Sequence, residues 1–371
     1  VELSRLTLTD FRTYPALGWS PGGRISVITG PNGSGKTNLL EAVSLLTPGR
    51  GLRGARPAEF LRRGATRWGV HGRVTSGGVE HDVGTGSAPG GERRVFRLDG
   101  AAPRTQAEVA AVCTCVWLTP QMDRLFQEGA SGRRRFMDRL VWALEPGHAR
   151  EVSAYESAMA GRNRLLARGG ADPAWLGGLE DSMARHGVAA AASRAGLVAR
   201  LNAALAAGAA GAFPAARLVL VDALADRLAA EPALAVEDWL RAALASGRVA
   251  DAAAGSAGQG AHRADMLLED AATGLPAALA STGQQKALLI GVVLGHAALI
   301  GSARAAAPLL LLDEPAVHLD AERRAALWSA LAAGRGQVLV TGTDREPFAP
   351  LHDIAGFWRA GDGGLTPDDR G

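Results

Sequence analysis

Between Gly30 and Thr37 the chain reads Gly-Pro-Asn-Gly-Ser-Gly-Lys-Thr, the spacing G-x-x-x-x-G-K-T. Phosphate chemistry needs this set. The run Gly30, Pro31, Asn32, Gly33, Ser34 and Gly35 lets backbone N–H groups close around phosphate oxygens, Lys36 reaches the outer phosphates, and the Thr37 hydroxyl can hold Mg²⁺. A second constellation is Leu309-Leu310-Leu311-Leu312-Asp313-Glu314, an apolar run ending in two acids. Buried parallel strands look like this, and ligands of such sheets bind at the carboxyl ends of the strands. Asp313 there would help hold Mg²⁺, and Glu314 would orient and polarise an attacking water. A third is Ser281-Thr282-Gly283-Gln284-Gln285-Lys286. Ser281 with Gln284 three residues on fits a capping box, and the same helix start is anion-ready. One phosphate group does not easily sit on two helix N-termini of one chain, so this terminus suits a nucleotide bound by another subunit.

The elements around these residues agree with that chemistry. Arg24 to Thr29 alternates like a short strand before the loop, and Leu39, Leu40, Val43 and Leu46 recur at helical spacing after it. Residues 3 to 8 alternate as a half-buried strand, and Arg12 behind them is placed to reach back toward a nucleotide. Gly69 to Val74, Val79 to Val83 and Arg93 to Leu98 predict a small antiparallel sheet, Ala111 to Leu118 a strand, and Gln337 to Val340 another. From Ser131 to about Arg248 the texture is helical, interrupted by a strand-like Ala216 to Val221. Gly255 to Gly260 reads as a junction.

The composition bounds the class. With 371 residues the chain is long enough for one large or two medium domains. Of 40 Lys+Arg residues only Lys36 and Lys286 are lysine. A compact ammonium is not interchangeable with a planar guanidinium in a tight loop, which gives Lys36 a reason to differ from the arginine background. Cys113 and Cys115, two apart on the expected strand, make neither a disulfide framework nor a zinc set. The N-terminal residues lack an export pattern, and the longest apolar run, Ala287 to Gly301, is too short to span a bilayer, so a cytoplasmic protein with no membrane partner is expected. A net charge of +3 permits a polyanionic partner. Arg50, Arg53, Arg56, Arg62 and Arg63 lie among glycines in one run, which is either a solvated face or a nucleic-acid surface.

Taken in order, Leu6-x-Leu8-x-x-Phe11-Arg12-x-Tyr14, the Gly30 to Thr37 loop, Gln121, Arg133-Arg134-Arg135-Phe136-x-Asp138, His262-Arg263-x-Asp265, Ser281-x-Gly283-Gln284-Gln285, the Asp313-Glu314 strand, Leu319-Asp320 and Val340-Thr341-Gly342-Thr343-Asp344 resemble an ATP-binding-cassette ATPase of the SMC and Rad50 type over nearly the full length. The resemblance implies an α/β fold: an ABC-type ATPase lobe, with a parallel P-loop sheet and a small antiparallel sheet, and an inserted, mainly helical lobe. Its parts would be 1–130, the N-terminal part of the ATPase lobe, 131–260, the helical lobe, and 261–371, the C-terminal part. It also implies ATP and Mg²⁺ as cofactors, with Gln121 sensing Mg²⁺ and the γ-phosphate. Ser281, Gly283 and Gln284 would then act in trans across an ATP-dependent homodimer, and Asp320 would lie in the D-loop. The implied activity is weak, DNA-associated ATP hydrolysis in recombinational repair and replication restart. Implied partners are single-stranded or gapped DNA and a RecR-type recombination mediator, with recombinase loading at gaps and a role in SOS induction. The sequence departs from the family's usual pattern at Thr13, at Ala261 and at Thr341, which stands where a switch histidine is usual. A transporter ATPase subunit would be shorter, since 277 positions (313 − 36) separate Lys36 from Asp313. An SMC clamp would need long heptad repeats between the same motifs, and they are missing.

Overall fold

A computed structural model describes residues 1–87, 93–169 and 172–368. The chain begins with β1 (Glu2–Phe11), β2 (Tyr14–Trp19), β3 (Ile25–Thr29), α1 (Lys36–Ser44), β4 (Gly69–Ser76), β5 (Val79–Ser87), β6 (Arg94–Leu98), α2 (Gln106–Val112) and β7 (Cys115–Leu118). A middle stretch follows, with α3 (Ala130–Leu144), α4 (His148–Arg168), α5 (Pro173–Ala206), β8 (Ala216–Val221), α6 (Ala223–Leu228), α7 (Ala233–Ser246), α8 (Arg248–Ala254) and β9 (Asp265–Asp270). The last part holds α9 (Thr282–Arg304), β10 (Leu309–Leu312), α10 (Ala321–Ala333), β11 (Val338–Gly342), β12 (Ala355–Gly361) and β13 (Gly364–Pro367). Two compact units result, one from Val1–Arg124, Ala204–Ala215 and Ala280–Gly371, the other from Leu125–Ala203 and Ala216–Leu279.

The first unit carries two sheets. In the six-stranded sheet the order is β13-β12-β3-β11-β10-β7, with β12, β3, β11, β10 and β7 parallel and β13 antiparallel at the edge. Every residue of β3, β7, β10 and β11 is buried, as strands covered on both faces require. The second sheet is antiparallel, ordered β2-β1-β4-β5-β6. In β1 a register shift between Leu3 and Arg5 lets Leu3 and Leu6 both face inward although they are three apart, as a bulge does. The Gln337 side chain joins the sheets by accepting from Leu3 N at 2.7 Å and donating to Leu3 O at 3.0 Å.

Several elements differ from the sequence reading. The strand expected over Ala111 to Leu118 is helix up to Val112 and strand only from Cys115, with the Thr114 hydroxyl donating to Ala110 O at 3.1 Å to close the helix end. Cys113 therefore ends a helix while Cys115 starts a strand; both are buried free thiols. A hydrogen bond with Cys113, together with burial, pushes the Cys115 thiol up. The strands β2, β9, β12 and β13 have no counterpart in that reading. Helix α9 is the one described helix long and apolar enough to cross a membrane by length and composition, yet its residues from Gln285 to Val293 are all buried inside the protein.

The second unit is helical around one apolar cluster. Tyr155 of α4, Met183, Val188 and Ala191 of α5, and Val236, Leu240 and Leu244 of α7 pack together there. Among its described residues the sheet is the pair β8 and β9, antiparallel, with Leu218 opposite Leu268. Arg162 lies fully buried beside the cluster, donating to Glu180 Oε1 at 2.9 Å, Asp251 Oδ2 at 2.7 Å and Leu244 O at 2.6 Å. Both carboxylates are buried too, and Arg248, donating to Glu180 at 2.9 and 2.5 Å, supplies the second positive charge, so two arginines balance two carboxylates where water cannot.

Candidate functional site

The loop from Gly30 to Gly35 leaves the carboxyl end of β3 and enters α1 at Lys36. Gly30, Gly33 and Gly35 all have positive φ, which bends the loop tightly enough to turn its amides inward. At Gly35 a side chain would also collide, since a Cβ would lie 2.8 Å from the Tyr14 hydroxyl. Lys36 is buried, with its ammonium donating to Gly30 O at 2.7 Å and Pro31 O at 3.1 Å and lying 3.9 Å from Glu314 Oε1. The Ser34 hydroxyl is buried in the loop with no hydrogen-bond partner among the described residues.

The register of the sheet brings the acids to this loop. Leu312 pairs with Leu118 and with Val340, so Asp313 and Glu314 emerge one step beyond, at the same end as the loop. Thr37 Oγ1 donates to Asp313 Oδ1 at 3.1 Å, joining residues 276 positions apart. A hydroxyl beside a carboxylate is the hard-oxygen donor set Mg²⁺ accepts while its remaining positions go to water and phosphate oxygens. Among the described residues no group of three or more His, Cys, Asp or Glu is arranged to hold a metal, so the fit is to a phosphate-bound ion and not to an all-protein cage.

Glu314 is held in a conformation that only its surroundings explain. Its φ is 48°, in the left-handed region that costs a non-glycine residue roughly 1–3 kcal/mol. Two side chains fix it. Thr341 Oγ1 accepts from Glu314 N at 3.0 Å and donates to Asp313 Oδ1 at 2.7 Å, and Lys286 Nζ donates to Glu314 O at 3.4 Å. Lys286 is itself buried and paired with Asp123 at 3.3 Å, two residues after Gln121. Gln121 is exposed on the short turn after β7, at the carboxyl end of the same sheet. Thr341 is fully buried, so at the position expected for a switch histidine the chain carries a strut beneath the acids.

The remaining expected residues fall in two groups. Ser281 does cap α9: its hydroxyl accepts from Gln284 N, and Gln284 Oε1 accepts from Ser281 N at 2.9 Å, leaving both residues exposed. Gly283 permits close packing, because a Cβ there would lie 3.2 Å from His318 O. Asp320 caps α10, accepting from Arg323 N at 2.8 Å. Arg12 is turned onto α1, where Nε and Nη2 donate to the fully buried Glu41 at 2.9 and 3.0 Å. Tyr14 donates to Gly35 O at 3.1 Å and Asn38 Nδ2 to Thr13 Oγ1 at 3.1 Å. The β1–β2 turn thus braces the phosphate loop from behind. In the basic run, Arg53 pairs with Glu41 and Asn38, and Arg62 with Asp10, whereas Arg50, Arg56 and Arg63 are exposed.

The sequence alone gives no role to Tyr14, Glu41, Asp123 or Lys286. Tyr14 left a signal as part of the Leu6 to Tyr14 pattern and Lys286 as one of two lysines among the basic residues.

A parallel sheet with a phosphate loop after β3 and paired acids after β10, an antiparallel sheet beside it and a mainly helical unit inserted in sequence between β7 and α9 define an ABC-type ATPase of the SMC kind. The RecF/RecN/SMC N terminal domain family matches residues 2–362. The DNA replication and repair protein RecF of Mesorhizobium japonicum is 46% identical over 374 residues, which cover 99% of this chain and 98% of that protein. A solved structure described as the recombination mediator protein RecF-ATPrS in the RecFOR pathway has a TM-score of 0.87 at 20% identity, covering 99% of this chain and 98% of that one. A second, described as RecF-ATP in the same pathway, has a TM-score of 0.85 at 21% identity, covering 98% and 97%. The chain belongs to the RecF family.

Proposed function

We propose that this chain is an ATP-dependent DNA-binding protein of recombinational repair and replication restart, which dimerises on ATP and helps load recombinase at single-strand gaps. The observation that carries the reading is the convergence of Lys36, Thr37, Asp313 and Glu314 at one end of the parallel sheet. Similarity to RecF proteins described with ATP and in the RecFOR pathway supports the choice of nucleotide and of a RecR-type mediator as partner. Action in the cytoplasm and a role in SOS induction belong to the same reading.

In this reading Mg²⁺, when bound, would supply positive charge against that developing on the phosphates. The loop amides and Lys36 hold the phosphate oxygens, while Thr37 and Asp313 supply the metal's protein ligands. Glu314 orients the attacking water and takes up its proton, and Gln121 stands by as the sensor of the outer phosphate. Thr341 and Lys286 keep the Glu314 backbone from relaxing out of its strained geometry. The exposed start of α9, with Ser281, Gly283 and Gln284, faces the nucleotide of a second copy, and Asp320 borders it. Hydrolysis is slow, because no histidine reaches the phosphate from Thr341. Arg12 acts through Glu41 and α1, and the exposed Arg50, Arg56 and Arg63, flanked by Arg53 and Arg62, offer charge to DNA phosphates.

Light scattering and anisotropy with gapped duplex DNA test this together. With ATP and Mg²⁺ the parent chain should form a dimer and bind gaps more tightly than without nucleotide, and Lys36→Arg should do neither. Dimerisation and DNA affinity indifferent to ATP would overturn the reading.

A further inference from the structure

Three consecutive arginines on α3 differ in their surroundings, and one of them forms no hydrogen bond or ion pair among the described residues. Arg133 is closed by Asp265, with Nε and Nη2 donating at 2.8 and 2.7 Å. Arg134 donates from Nη1 to Ala264 O at 2.9 Å and forms no ion pair among the described residues. Arg135 is exposed and has no hydrogen bond or ion pair among them. Arg134 and Arg135 line a cavity of about 140 Å³ together with Ser131, Tyr155, Glu156 and His262. The carboxylates near Arg134 are already taken. Asp265 belongs to Arg133, while Asp138 accepts from Arg194 at 2.8 and 2.9 Å and is bonded to His148 at 2.8 Å. Glu156 stands exposed and beyond ion-pair distance of either arginine.

A guanidinium stays charged, and burying charge is costly unless an opposite charge meets it. Burial, and the repulsion of Arg194 after it, pull the Arg134 pKa down, against the opposing attraction of Asp138 and Asp265. Ser131 lies in the first turn of α3, where the helix dipole adds its positive end. The cavity is smaller than the roughly 300 Å³ at which pockets for whole small ligands begin, so it suits one anionic group and not a nucleotide. Planar forks pair with tetrahedral phosphate oxygens in a bidentate way.

We propose that this pocket of the helical unit binds a phosphodiester group of a nucleic-acid strand through Arg134 and Arg135, with the Ser131 hydroxyl at its edge. It is separate from the basic run between Arg50 and Arg63, and it rests on the reading that the chain binds DNA.

The test is a salt titration of the full chain against single-stranded and gapped oligonucleotides of unrelated sequence. Arg135→Ala, which breaks no hydrogen bond or ion pair among the described residues, should weaken binding about 3- to 10-fold at low salt, equally for all sequences, and reduce the slope of log K against log salt by about 0.7 to 0.9. Arg134→Gln should do the same, and Arg135→Lys should restore most of the slope. Melting temperature and nucleotide binding of Arg135→Ala should match the parent. Coincident affinities and slopes would overturn the proposal. So would a melting shift with inorganic phosphate alone that Arg135→Ala abolishes while DNA slopes stay equal, which would make the site one for a free anion. Loss of mediator binding with DNA binding intact would likewise overturn it, by assigning the pocket to carboxylates of a partner protein. Failure of the parent to bind DNA at all would instead remove the functional reading itself.

Discussion

The Thr341 hydroxyl lies 3.0 Å from the Glu314 amide and, through its proton, bonds the neighbouring carboxylate of Asp313 at 2.7 Å. One hydroxyl therefore sets the backbone of the proposed base and the side chain of the proposed metal ligand. Thr341→Val keeps the shape and removes both bonds, leaving the Glu314 amide without its acceptor at roughly 1–3 kcal/mol while Asp313 Oδ1 keeps the bond from Thr37. Thermal unfolding should show that loss, and phosphate release should fall while nucleotide binding persists. Thr341→Ser should restore both. Parent-like stability and turnover in the valine variant would remove the strut from the mechanism.

Glu314 and Ser281 should fail in different ways. Glu314→Gln keeps the shape but cannot take a proton, so ATP binds, is not cleaved, and holds a dimer closed. Ser281→Arg places bulk and charge at an exposed helix start, so each copy binds ATP but does not pair. Light scattering with ATP and Mg²⁺ should report a persistent dimer for the first and a monomer for the second. A dimer of Ser281→Arg would return that residue to a capping role alone.

The buried Arg162 network gives a stability prediction for the helical unit. Arg162→Met leaves Asp251 with no cation and Glu180 with only Arg248, and breaking such a set costs roughly 3–5 kcal/mol. Exchanging Arg162, Glu180 and Asp251 together for apolar residues should recover most of it. Urea midpoints of the single and triple variants decide the matter: equal midpoints would mean that the charges are not mutually dependent.

His262 supplies a pH dependence. Burial holds its pKa below the ordinary 6.5 against the hydrogen bond to Ala257 O, with Arg263 and Arg134 adding to the fall and Asp251 opposing it. Its Nε2 donates to Ala257 O, so Nδ1 is free to accept from Tyr155 at 2.6 Å only while the ring is neutral. Between the lowered folded value and 6.5 the unfolded chain binds more protons, so stability rises with pH across that window and is complete above it. As pH falls below 6.5 the urea midpoint should drop, less steeply in His262→Gln. Asp138 behaves alike at lower pH. Burial would raise it, but hydrogen bonds from His148 and Arg194 win, so its contribution is present above 3.8 and lost as pH falls below that. Identical pH profiles for the parent and His262→Gln would refute the role of the ring.

What the sequence made legible is what local spacing controls. The phosphate loop, the buried strand ending in Asp313 and the Ser281 cap each lie within about eight residues, and all are seen in place. Contacts made over long separations left no trace in the pattern. The sequence around Arg12 points toward a nucleotide, because nothing nearby announces that Glu41, 29 positions on, takes it. The positive φ of Glu314 depends on Thr341 and Lys286, at separations of 27 and 28 residues. Strands β12 and β13 are short and mixed in polarity, and only their pairing with β3 and with each other makes them strands.

The order of the parallel sheet sets a timetable for synthesis. β3, from which the phosphate loop springs, is flanked by β11 and β12, and 309 positions (338 − 29) separate its end from the start of the nearer one in sequence. At roughly 5–20 residues per second a ribosome needs roughly 15 to 60 s to supply that partner. Through that interval Ile25 to Thr29 is a nascent segment without either of its strand partners. The helical unit, whose last residue is Leu279, is complete before either flanking strand emerges.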